Sequence, residues 1–142
     1  MKKIIKISLV ILVLFSVSTS CKKYTEGPMI SFRSKKARVS GDWKIEQMTV
    51  NGSDVTSTFQ TLVGADYVLD IEKDGKYHVH GLASDEGTWK LGEDGDDIYM
   101  MSSKTGALEQ SLRILKLKNK ELWLRQTAYN GDITIVHYEP AD

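Results

Sequence analysis

The chain has 142 residues, 27% of them charged, and a formal net charge of zero. Its single cysteine rules out an intrachain disulfide, and no zinc-spaced Cys/His set, phosphate-binding glycine loop or nucleophile elbow occurs. Past residue 40 there are ten basic and 18 acidic side chains, a balance that argues against nucleic acid as a partner because phosphate binding needs a basic face.

Residues 1–20 read MKKIIKISLVILVLFSVSTS. Lys2, Lys3 and Lys6 supply a positive start, Ile7 to Val17 is nearly unbroken hydrocarbon, and Ser18, Thr19 and Ser20 are small. This is the layout of a secretory signal. The apolar run is shorter than the roughly 20 residues of a membrane span. With Cys21 directly after the small residues, the segment resembles a bacterial lipoprotein signal, although Ser18 stands where that family prefers leucine. The resemblance implies cleavage before Cys21 and acylation of its thiol. Two or more acyl chains anchor stably where one holds only marginally, so the expectation is a lipid anchor on Cys21 in the outer membrane. Lys22 and Lys23 stand where some surface-export signals carry acids, which points to the periplasmic side.

Residues 21–40 carry six basic side chains and one acidic, Glu26. They read as a basic tether, since charged linkers extend. An alternative lays them on anionic headgroups. The expected division is thus a signal at 1–20, a lipidated cysteine and tether at 21–40, and one domain at 41–142.

From Gly41 the sequence predicts eight short strands. Asp42 to Val50 is the first, with Trp43, Ile45, Gln47 and Thr49 on one face; Asn51-Gly52 turns it. Ser53 to Ala65 breaks the alternation, and Phe59, Leu62 and Val63 fit a short helix or capping loop. Asp66 to Glu72 and Lys76 to His80 flank Asp74-Gly75, a two-residue hairpin signal. Glu86 to Leu91, Asp96 to Ser102, Leu108 to Leu117, Glu121 to Thr127 and Ile133 to Tyr138 follow. Alternation slips between Leu112/Ile114 and Leu115/Leu117, which marks a bulge. Many short strands joined by tight turns mean an antiparallel all-β fold. Eight of them can close into an up-and-down barrel and remove both edges; the alternative is a two-sheet β-sandwich.

Gly41-Asp42-Trp43 at the head of the first strand is similar to the Gly-x-Trp signature of lipocalins. With Gly87-Thr88-Trp89-Lys90-Leu91 and the late Leu-x-Leu strands, residues 40–140 resemble the lipocalin-like domain family of bacterial outer-membrane lipoproteins. The resemblance implies a lipocalin-like barrel and no known activity for most members. It implies that Trp43 plugs the closed end beneath an arginine, for which Arg125 is the candidate. Tryptophan suits a plug on physical grounds as well, being a large apolar body with one N–H to satisfy.

An eight-stranded barrel is just wide enough to be filled by side chains or to hold one small ligand. The expected inward set runs from Trp43 and Ile45 through Tyr67, Tyr77, Trp89 and Met100 to Leu124, Ile133 and Ile135. Gln47, Thr49 and Gln126 continue inward faces toward a polar mouth beneath the Ser53–Ala65 segment. The candidate ligand-binding residues are therefore Gln47, Thr49, Tyr67, Tyr77, Trp89 and Gln126. Any ligand should be small and mainly apolar.

Signs of chemistry are sparse. His78 and His80 share a face that points to solvent. Glu93, Asp94, Asp96 and Asp97 read as a solvated turn rather than a Ca²⁺ site. Adjacent carboxylates such as Asp85 and Glu86 point to opposite faces of a strand. No catalytic residue, metal or cofactor is expected. The leading expectation is a membrane-anchored, non-enzymatic barrel that binds a small hydrophobic ligand. The alternative is a protein-interaction module with a solid core, such as an inhibitor or a subunit of an envelope complex.

Overall fold

The computed structural model describes residues 33–142. Cys21, the 1–20 signal and the tether up to residue 32 lie outside the described residues. Turn residues cut the alternating pattern into nine strands: β1 (Gly41–Val50), β2 (Ser53–Asp54), β3 (Val68–Ile71), β4 (Lys76–His80), β5 (Asp85–Leu91), β6 (Asp97–Ser102), β7 (Gln110–Lys118), β8 (Glu121–Thr127) and β9 (Ile133–Pro140). Among the described residues two helices join them, α1 (Lys35–Val39) and α2 (Thr56–Val63).

Every pairing is antiparallel, and consecutive strands from β3 to β9 are neighbours. β2 is a two-residue stub folded back on β1. The first residues of β1 pair with β3, and most of its length pairs with β9. That last pairing closes eight strands, β1 and β3–β9, into an up-and-down barrel of lipocalin-like architecture. A sandwich would leave edges that closure removes.

The turn expected as a two-residue hairpin at Asp74-Gly75 differs in type. At Asn51-Gly52 both residues have positive φ, +49° and +82°, as a two-residue type I′ turn demands. At Asp74-Gly75 and Asn130-Gly131 only the glycine is left-handed. The Gly75 N–H donates to the Glu72 carbonyl and the Gly131 N–H to the Ala128 carbonyl, which gives three-residue loops with a G1 bulge rather than two-residue hairpins.

Two bulges set which side chains face inward. In β7 the register shifts between Ile114 and Lys116. Leu115 is the extra residue, and Ile114 and Leu117 both reach the core. A second shift, between Ile45 and Gln47 in β1, is not among the expected features. With Glu46 extruded, Gln47 pairs with the outward His137 and Met48 with the inward Val136. In β9 the inward face is Thr134, Val136 and Tyr138, which line the barrel interior, not Ile133 and Ile135; Ile133 is exposed.

The core sits at the end where β1 begins. Trp43, Ile71, Trp89, Ile98, Leu117 and Leu122 are buried there with Val39 of α1. Ser34 caps α1 by accepting the Ala37 N–H at 3.1 Å. The Trp43 indole N–H donates to the Val39 carbonyl at 2.8 Å, so the plug's polar atom is satisfied by the helix beneath it. Arg38 is buried and donates to the Leu117 carbonyl at 3.0 Å. Arg125 instead is exposed on β8. The buried arginine at the closed end thus comes from α1, and the folded unit begins before Gly41, inside the segment read as tether.

Candidate functional site

Toward the opposite end the barrel widens into a cavity of about 380 Å³, within the usual range of ligand pockets. Its lower wall is apolar, formed by side chains such as Leu69, Val79, Met100 and Leu124. Helix α2 covers part of the mouth. The Thr56 hydroxyl accepts the Met48 N–H at 2.9 Å, and the Val55 N–H donates to the Met48 carbonyl at 2.9 Å, tying the helix to β1. Asp54 accepts the Thr56 N–H at 2.9 Å and its hydroxyl at 2.6 Å. These Thr56 bonds, with one from Gln47, hold the Asp54 carboxyl down at about 2. From α2, Phe59 reaches into the cavity and meets Tyr67 edge-on, with ring centroids 5.8 Å apart.

One wall is polar and closely built. Tyr77 on β4 lies opposite Gly87 on β5. A Cβ on Gly87 would collide with the Met101 carbonyl oxygen and fall 2.8 Å from the Tyr77 ring, so the missing side chain is what lets the tyrosine lie across the strand. The Tyr77 hydroxyl then donates to Asp85 Oδ2 at 2.9 Å. Ser102, at the end of β6, donates to Asp85 Oδ1 at 2.7 Å. Lys104 stands 3.4 Å from the same oxygen on the solvent side. Burial raises the Asp85 carboxyl, but hydrogen bonds from Ser102, Tyr77 and the Glu86 backbone, with the Lys104 charge, outweigh it and leave the group below its ordinary value. Asp85 is therefore ionised at neutral pH.

The phenols respond to their surroundings. Burial first, then the Asp85 hydrogen bond and charge, push Tyr77 up to about 12. Tyr67 and Tyr138 are both raised, chiefly by burial, and the Asp85 charge contributes at Tyr67. These are neutral hydrogen-bonding groups at neutral pH.

Three of the expected ligand residues, Tyr67, Tyr77 and Gln126, line the cavity. The other three do not. The β1 bulge turns Gln47 outward, where its amide donates to Asp54 at 3.1 Å, and Thr49 pairs with Asp54 and Ile135 on the same outer face. Trp89 lies in the closed half, its indole N–H donating to the Glu72 carbonyl at 2.7 Å. Met48, Asp85, Ser102, Gln110 and Thr134 are lining residues outside the expected set. Met48 was signalled by a slip in β1: apolar Trp43 and Ile45 are followed by apolar Met48 and Val50, the pattern that marks the β7 bulge. For Asp85 no such signal exists, since a carboxylate at a strand start is ordinary.

Outside the barrel, His78 lies 3.0 Å from Glu72 and 3.5 Å from Glu86, so Asp85 and Glu86 do take opposite faces. At the acidic tip, Asp97 is engaged by Arg113 at 2.9 Å and the Asp94 carbonyl by Lys35 at 3.2 Å. Among the described residues no three His, Cys, Asp or Glu side chains gather as metal ligands, and no helix is long and apolar enough to cross a membrane. Comparison with protein-family models and with curated proteins finds no match.

Proposed function

We propose that this chain is a lipid-anchored, non-enzymatic member of the lipocalin-like lipoproteins, and that its barrel binds one small hydrophobic ligand. The observation that carries the reading is the cavity, apolar below and polar on one wall, behind a mouth partly covered by α2. A solid core, which the interaction-module reading assumes, does not accord with that space. The acyl anchor and the outer-membrane, periplasm-facing location rest on residues 1–23. Because α1 docks at the closed end, an anchor on Cys21 would hold the barrel by that end.

Native mass spectrometry of the purified protein tests the ligand. A co-purified small molecule that is absent from a cavity-filling Met48→Trp variant supports the reading; no bound molecule in the parent, with a stoichiometric protein partner instead, rejects it. The anchor is tested by Cys21→Ser, which should shift the protein from the membrane fraction to the soluble fraction or leave it uncleaved.

A further inference from the structure

The polar wall specifies what kind of head group the cavity accepts, an inference that rests on the cavity being a ligand site. Among its described lining residues Asp85 is the one acidic side chain, and no lysine, arginine or histidine lines it. The Asp85 side chain is about a quarter exposed, at 26%. Its two oxygens offer about four acceptor positions. Tyr77 occupies one, Ser102 a second and the Glu86 backbone N–H a third, while Lys104 approaches the fourth from outside. A cationic donor on the cavity side therefore competes with Lys104 alone. The countercharge is weak on the cavity side: the Lys104 side chain is 68% exposed and also donates to the Ser84 carbonyl at 3.1 Å. Solvent around an exposed ammonium screens it more than it screens a charge inside the barrel.

Gln110, Gln126 and Thr134 complete the polar lining. They can donate or accept, so they orient a ligand without selecting its charge. Charge selection falls to Asp85. A carboxylate head placed beside it would be repelled and would lose hydration with no cation to replace it. An ammonium head would gain a charge-assisted hydrogen bond. We propose that the cavity takes a compact apolar molecule with a cationic amine head, seated against Asp85, and discriminates against carboxylates of the same shape.

The test holds the apolar body constant and varies the head. Calorimetric titrations of the full chain at pH 7 would use 4-phenylbutylamine, 4-phenylbutanol and 4-phenylbutyrate. The amine should bind tightest and the carboxylate weakest, with about a tenfold or larger ratio between them. Asp85→Asn should bring that ratio close to one. The exposed Lys104→Gln change, which leaves the barrel interior untouched, should widen it. If the alcohol binds and the carboxylate matches or exceeds the amine, the head-group inference is wrong while the pocket stands. A ratio unmoved by Asp85→Asn or Lys104→Gln also overturns it. If none of the three binds, the ligand-binding reading falls with it.

Discussion

The two ends of this barrel are made from the same eight strands and do opposite things. At the closed end large apolar side chains interlock: Ile98, Leu117, Leu122 and Val39 are fully buried, and the polar atom of the Trp43 plug bonds to α1. At the open end interior side chains such as Ile45, Met48, Tyr67 and Val136 are only half-buried, and hydroxyls, amides and one carboxylate join the aliphatic groups. Around the mouth Leu62, Leu82 and Leu108 remain exposed. A dense core needs each side chain to find its partners, whereas a binding site needs space and groups left available, so one strand can serve stability at one end and recognition at the other. β4 and β5 span both regions, with Trp89 low in the barrel and Tyr77 and Asp85 at the cavity.

This division predicts unequal responses. Trp43→Ala should have the largest effect, lowering stability by about 3–5 kcal/mol in a denaturant titration; a near-wild-type midpoint would break the idea of a plugged end. Gly87→Ala should cost about 1–3 kcal/mol, because its Cβ has no room beside the Met101 carbonyl. It should also weaken ligand binding by displacing Tyr77. Arg38→Ala should cost about 1–3 kcal/mol through the unpaired Leu117 carbonyl and lost packing, against less than about 0.5 kcal/mol for Arg125→Ala. Equal losses in those two would return the structural role to Arg125.

A pH titration sharpens the comparison from the open end. Tyr77 titrates near 12 when folded against an ordinary 10.0, so the folded state holds the proton more tightly. That contribution is fully present below pH 10 and is lost as pH rises through about 12. Stability should therefore fall over that window, and Tyr77→Phe should flatten the fall. The smallest effect belongs to Gln47→Ala, which should leave ligand affinity unchanged because the amide faces away from the cavity.

The number and order of the barrel strands and the β7 bulge were legible because each of these strands alternates and turn residues separate them; the two-residue β2 was not. Half of the site was legible too: Tyr67, Tyr77 and Gln126 sit on strands whose inward phase runs without interruption. The misplacements have local causes. In β9, Ile133, Ile135 and Val136 offer apolar side chains to both faces, so periodicity does not choose between them. In β1 the extruded Glu46 inverts the phase beyond it. Helix α1 spans five residues, too few for a helical period to show, which hid Arg38 among apparent tether charges.

The all-β class, the chain order of the strands and the tryptophan at the start of β1 could be read from the sequence, because these are encoded locally by alternation, turn residues and composition. The tertiary structure alone decided that β1 meets β9 to close the barrel, that the interior is packed at one end and open at the other, and that Asp85, Tyr77 and Ser102 converge on one wall. Those outcomes depend on register and on contacts between residues far apart in sequence. A single extra residue in a strand reverses every side chain after it.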